Sequence, residues 1–258
     1  GEHEALVTTL DRATRAGGFN PGDVAVDAAG VLYITDFYAQ KVYLLRPTGG
    51  LEVLAGSGSR GVADGPAATA DFEGPGGIAV DKAGNVFVSD GPAHRIRRID
   101  PAGNVSTFAG GGEAGLCCGQ FRDGLASEAR FSLPAALAFD LDGNLIVADK
   151  DNDRLRKITA DGTVSTIAGV GAQGSAARQA PLEGPVGLAI APDGTIYFTE
   201  HRSNSIRRIT TSGEIETVLS SVPAVVSGDM GSLSRGEGLA FPSRLTILAD
   251  GTLLVADT

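Results

Sequence analysis

Asp149, Asp151 and Asp153 stand at the first, third and fifth places of a calcium-loop pattern, Asp149-Lys-Asp-Asn-Asp153. Such a loop needs a glycine at its sixth place and a bidentate glutamate at its twelfth. Arg154 and Ala160 stand there instead, and the matching stretches elsewhere in the chain read DFYAQK, DGPAHR and EHRSNS. The aspartates therefore read as part of a connecting loop. Asp140-Leu-Asp-Gly-Asn144 has the counterparts DAAGV and DKAGN, which are hairpin turns. The three histidines, His3, His94 and His201, show no zinc-type spacing. Cys117 and Cys118 are adjacent in a glycine-rich loop, with no C-x-x-C spacing and too few cysteines for a disulfide framework. No G-x-S-x-G nucleophile elbow occurs. These residues predict no catalytic set, no metal and no cofactor.

A second set of charges recurs. Asp36, Asp90, Asp149, Glu200 and Asp257 lie at matching places, and five residues after the first four come Lys41, Arg95, Arg154 and Ser205. An acid and a base at this spacing are expected to meet across a hairpin connection and tie it together. The pairs Arg97-Arg98, Arg156-Lys157 and Arg207-Arg208 have the chemistry for phosphate, but they recur once per repeat rather than clustering. The formal net charge of −10 also repels a nucleic-acid backbone. No nucleic-acid partner is predicted.

These charges are carried on a repeat. Four copies start at Phe19, Phe72, Phe131 and Leu182, spanning about 19–56, 72–110, 131–169 and 182–220, and a fifth starts at Phe241 and stops halfway. Each copy reads as four short apolar strands, a to d. Gly30, Gly84, Gly143, Gly194 and Gly251 mark the a–b turns, where a positive φ suits glycine. The 37 glycines of 258 residues, alongside 42% hydrophobic residues, fit many tight turns around a packed core. A four-stranded unit with two apolar faces cannot bury itself, so it must stack on copies of itself, and radial stacking gives a propeller.

The stretch from Asp140 to Ile158, DLDGNLIVADKDNDRLRKI, resembles the NHL repeat, as does the flanking STIAG pattern. The resemblance implies a β-propeller, usually six-bladed. The fold class expected is all-β, a single propeller domain over 1–258. Five blades are visible, the last (241–258) completed by an N-terminal strand at 4–10; six blades with one truncated is the alternative. Relatives among NHL-like propellers include lyases that hold a metal with histidines at the channel, and here no strand a contains one.

Strand order places the b–c loops and the d–a connections at one end of every blade. Those connections differ widely in sequence, as binding loops on a rigid scaffold do. Phe37, Tyr38, Phe121, His201 and Arg202 are the distinctive residues there and form the expected ligand-binding set. The recurrent Asp64-Gly65 and Asp123-Gly124 support the opposite reading, loops that merely pad the blades. The function expected is a non-catalytic binding or scaffold propeller for a protein or peptide, monomeric. A lyase or hydrolase at the central channel and an extracytoplasmic sensor are the alternatives. No apolar run reaches membrane length, so no membrane insertion is predicted. The chain opens on Gly1, which points to a processed protein or a piece of a larger one, and the compartment is left unassigned.

Overall fold

The computed structural model describes residues 19–111, 120–170, 179–220, 239, 241–248 and 250–257. The chain divides into two compact units, Gly1–Arg122 with Ala126–Leu137, and Asp123–Leu125 with Ala138–Thr258.

In the first unit, β1 (Pro21–Val26), β2 (Leu32–Asp36), β3 (Lys41–Leu45) and β4 (Leu51–Ala55) form an antiparallel meander in chain order. The next sheet repeats that meander with β6 (Pro75–Val80), β7 (Val86–Asp90), β8 (Arg95–Ile99) and β9 (Asn104–Ala109). A two-residue strand, β5 (Gly65–Pro66), adds outside β9. The third repeat has the order β10-β14-β13-β12-β11, with β10 (Gly124–Leu125), β11 (Pro134–Phe139), β12 (Leu145–Asp149), β13 (Arg154–Ile158) and β14 (Thr163–Ala168). The division between the units falls within β11. The second unit continues with β15 (Pro185–Ile190), β16 (Ile196–Glu200), β17 (Ser205–Ile209) and β18 (Ile215–Ser220), then with β19 (Pro242–Ile247) paired to β20 (Leu253–Asp257). Four of these sheets carry the a-to-d order of strands that the sequence predicts, and the fifth shows a and b. The expected pairing of 4–10 with the last blade falls on residues outside those described.

The turns form for local reasons. Asp81 Oδ1 accepts the backbone N–H of Ala83 and of Asn85, and Gly84 follows with φ +81°. Asp140 and Gly143 repeat that arrangement. Between the turns, β7 and β12 are buried along their whole lengths, as strands covered on both faces must be. In the first unit one core joins Val42 and Ala55 of the first sheet to Phe72, Ile78, Val88 and Val105 of the second.

Hydroxyls on strand b fasten successive repeats. Thr35 Oγ1 donates to the carbonyl of Gly76 at 2.6 Å, Ser89 Oγ to that of Ala135, and Thr199 Oγ1 to that of Ser243 at 3.3 Å. Ala148 holds the matching place in the third repeat. The fifth repeat is entered two residues earlier than Phe241. Leu239 is 7% exposed and takes the buried place of Phe131 and Leu182, whereas Phe241 is 53% exposed and precedes Pro242 as Leu133 precedes Pro134.

Candidate functional site

The recurrent charges assemble at the b–c end of the second, third and fourth repeats. In the second repeat Asp90 and Arg97 are both fully buried, with Nη1 3.5 Å from Oδ2. Asp90 Oδ1 accepts the N–H of Glu73 and of Gly74. Burial pushes its carboxyl above the ordinary carboxylate range, opposed by those N–H groups and by Arg97. Arg97 Nη2 reaches Asp64 Oδ1 at 2.6 Å, its guanidinium carbon lies 5.2 Å from the Phe72 ring centroid, and Asp64 in turn accepts the N–H and hydroxyl of Thr107. The third repeat has the same parts. Arg156 Nη1 lies 2.8 Å from Asp149 and Nη2 2.6 Å from Asp123, and Asp123 accepts the N–H and hydroxyl of Thr166. In the fourth, Arg207 pairs with Glu200 at 3.2 Å. The first repeat has Tyr43 at the arginine's place, set edge-on to Phe19 at 5.2 Å, and burial raises its phenol pKa.

The residues five places after the acids do lie opposite them in the b–c register, and a further set of bases reaches the same acids. The fully buried bases are Arg97 and Arg156, seven residues after their acids. Arg97 lies opposite Val88 in the β7–β8 register, two places inside the hairpin, where it reaches both Asp90 and the d–a loop. In the fourth repeat the residue five places on serves the acid as well, as Ser205 Oγ donates to Glu200 Oε2 at 3.0 Å. The partnership of Asp64 and Asp123 with these arginines is not among the expectations from sequence. Its signal was the recurrence of Asp-Gly at one fixed distance before Phe72 and Phe131. With their guanidinium groups buried, Arg97 and Arg156 face no phosphate.

The b–c loops carry a second repeated contact, made by residues with positive φ. His94 Nδ1 accepts the N–H of Leu133 at 3.0 Å, Asp153 Oδ1 that of Gly184 at 2.7 Å, and Asn204 Oδ1 that of Phe241 at 3.0 Å. His94 and Asp153 thus hold the backbone of the following repeat.

The five expected binding residues are placed as follows. In the first unit, the Phe37 and Tyr38 rings meet edge-on at 5.4 Å. Phe37 packs over Gly74, where an added Cβ would come within 2.5 Å of its Cε2. Tyr38 is 70% exposed, and Phe121 is exposed too. In the second unit, His201 lies 5.4 Å from the exposed Phe241 ring. Arg202 is tied to the preceding repeat through Asp153 at 2.6 Å and Asp151 at 3.5 Å. Cys117, Cys118 and His3 lie outside the described residues. Among the described residues no three His, Cys, Asp or Glu side chains cluster as metal ligands, and no helix is long and apolar enough to cross a membrane.

The NHL repeat family matches residues 72–99. Human Teneurin-4 is 29% identical over 271 residues, covering 89% of this chain and 10% of its own length, so the chain spans about a tenth of that relative. A Xanthomonas campestris gluconolactonase structure aligns with a TM-score of 0.61 at 19% identity, over 93% of this chain and 69% of its own. A nidogen/laminin complex structure aligns with a TM-score of 0.59 at 18% identity, over 92% and 72%. At such identities the structures speak for the fold. With its repeated four-stranded meanders and an NHL repeat matched at residues 72–99, the chain has the fold of an NHL-repeat β-propeller.

Proposed function

We propose that this propeller is a non-catalytic binding module for a protein partner, with Tyr38 and Phe37 as its anchor in the first unit. One observation carries the reading. A large aromatic side chain stands exposed on a loop whose base is locked, since Asp36 Oδ1 accepts the N–H of Tyr38 and of Ala39 and Phe37 is wedged against Gly74. Rigid, exposed aromatics form interface anchors because little side-chain entropy is lost when they bind. The recurrent acids are engaged within the scaffold. Asp90 and Asp149 are fully buried and neutralised by arginine, and Asp64 and Asp123 are held by threonines. The likeness to Teneurin-4 over most of the chain and to a propeller seen in a nidogen/laminin complex is consistent with protein partners, whereas the gluconolactonase likeness brings the enzymatic alternative.

The test is a selection of displayed peptides on the folded chain, paired with a turnover assay on gluconolactone and simple esters. Selected peptides should lose at least about tenfold in affinity on Tyr38→Ala, as truncated anchor residues do. Peptides indifferent to Tyr38→Ala would overturn the anchor, and turnover above buffer would overturn the non-catalytic reading.

A further inference from the structure

We propose that Arg207 and Thr217 of the fourth repeat form an open seat for an aspartate carboxylate supplied by a protein partner. The proposal rests on the protein-binding reading above and names the chemistry of one contact.

The chain itself shows the seat filled twice. Asp64 is held by Arg97 Nη2 at 2.6 Å, by the Thr107 N–H at 3.0 Å and by the Thr107 hydroxyl at 3.2 Å. Asp123 is held by Arg156 Nη2 at 2.6 Å and by the Thr166 N–H and hydroxyl at 3.1 Å each. The backbone that aims these donors is also repeated. Arg97 faces Thr107 and Arg156 faces Thr166 just after a bulge in the c–d pairing, and Arg207 faces Thr217 after a bulge at the same place.

In the fourth repeat the donors are present, and among the described residues no carboxylate takes the place of Asp64 and Asp123. Arg207 Nη1 is used, donating to Pro181 O at 3.0 Å and to Glu200 Oε1 at 3.2 Å. Its Nη2, the atom that grips the aspartate in the other two repeats, has no partner among the described residues. Thr217 is exposed, and neither its N–H nor its hydroxyl has a side-chain partner there. The Nε of Arg207 is buried and unbonded, as is that of Arg97, so Nη2 and Thr217 are the distinguishing donors. The Arg207 side chain is 16% exposed where Arg97 and Arg156 are fully buried, which leaves it within reach of a ligand.

The sequence explains the difference. Asp64 and Asp123 stand eight residues before Phe72 and Phe131, and the same place before Leu182 is Gly174. Residues 171–181 contain no acid, so this connection offers no carboxylate of its own. Charge balance also differs, since Arg97 and Arg156 each meet two carboxylates and Arg207 meets one among the described residues. A charge-assisted bond from a guanidinium, with two further donors beside it, suits a carboxylate closely. The filled copies show how the rest of the ligand would lie. Asp64 leads into β5 and Asp123 into β10, each pairing as a short strand outside strand d. Among the described residues nothing pairs outside β18. A partner segment with an aspartate followed by a small extended stretch would add there by strand addition.

The experiment uses a labelled peptide, Gln-Phe-Arg-Asp-Gly-Leu-Ala-Ser, which copies the chain's own third-repeat segment, with fluorescence anisotropy on the folded 258-residue chain. Binding should weaken about tenfold or more when the peptide's aspartate is replaced by asparagine, and similarly with Thr217→Val or Arg207→Met, the range expected for lost hydrogen bonds to a charged group. Arg208→Met, on the same strand but paired to Glu216, should bind as the parent does. In a second arm, Gly174→Asp should raise the melting temperature of the parent and not of Thr217→Val. Thr217 is exposed, so its variant keeps the test valid should Arg207→Met fail to fold. Peptide binding that ignores the aspartate or Thr217 overturns the proposal. A Thr217-dependent gain from Gly174→Asp without peptide binding overturns the partner's role but leaves the seat. Failure of both arms removes the seat, and each of these results leaves the Tyr38 reading standing or falling on its own peptides.

Discussion

Ser89 Oγ accepts the N–H of Gly77 at 2.7 Å and donates to the carbonyl of Ala135, so that one fully buried side chain holds the first strands of two successive repeats. Removing it leaves the buried Gly77 N–H and the part-buried Ala135 carbonyl without this partner. Ser89→Ala is therefore expected to lower the unfolding free energy by about 1–3 kcal/mol. Ser89→Thr, which copies Thr35 and Thr199, should cost less. Urea unfolding followed by circular dichroism distinguishes the two, and equal values for both variants would refute the hydroxyl's role.

Close approach at the same junction forbids a side chain. A Cβ on Gly77 would overlap the carbonyl oxygen of Ala135, a backbone atom with nowhere to move. Gly77→Ala should cost about 3 kcal/mol or prevent folding. Gly103 differs, with φ +83° and open space around it, so Gly103→Ala meets only the left-handed backbone penalty of about 1–2 kcal/mol. Melting temperatures of the pair should rank in that order.

Acid should weaken the fold through its turns. The N–H of Asn104 holds the Asp100 carboxyl below its ordinary range, the Thr159 hydroxyl does so for Asp161, and the N–H groups of Thr195 and Thr252 for Asp193 and Asp250. A carboxyl depressed in the folded state stabilises above its unfolded pKa of about 3.9, and that stability is lost as pH falls through the folded value. Asp90 works in the other direction. Burial raises its pKa, so the stability it adds at acid pH is lost as pH rises from about 3.9 through its folded value. With four turn aspartates against one buried acid, the melting temperature should fall below about pH 4. Asp193→Asn should flatten that fall in part. A melting temperature that climbs from pH 5 to pH 3 would contradict this assignment.

The fold was legible because its signals are local. Turn glycines such as Gly84 and Gly143 adopt the positive φ that the sequence implied, and the apolar runs between them are the strands. What residue spacing leaves unread depends on register. The c–d pairing is bulged beside Arg97, and the b–c register sets Arg97 rather than Arg95 where it reaches both Asp90 and Asp64, a geometry that residue spacing does not encode. The fifth repeat was misaligned because Phe241 resembles Phe131 in type, while Pro242, aligned with Pro134 and Pro185, was the better ruler. At the candidate site, Tyr38 was readable as a loop aromatic. The capture of Arg202 by Asp153 was not, because it joins residues 49 apart.

The central claim is that the repeated acids and arginines serve the scaffold, which leaves binding to exposed groups. A double-mutant cycle on Asp149 and Arg156, both fully buried at 2.8 Å, tests it most directly. Urea unfolding should show Arg156→Met and Asp149→Asn each losing about 3–5 kcal/mol, because each strands a buried charge. The double variant should lose clearly less than their sum. Single variants within about 0.5 kcal/mol of the parent, the range of ordinary surface changes, would contradict the claim and return these charges to the list of groups available for chemistry.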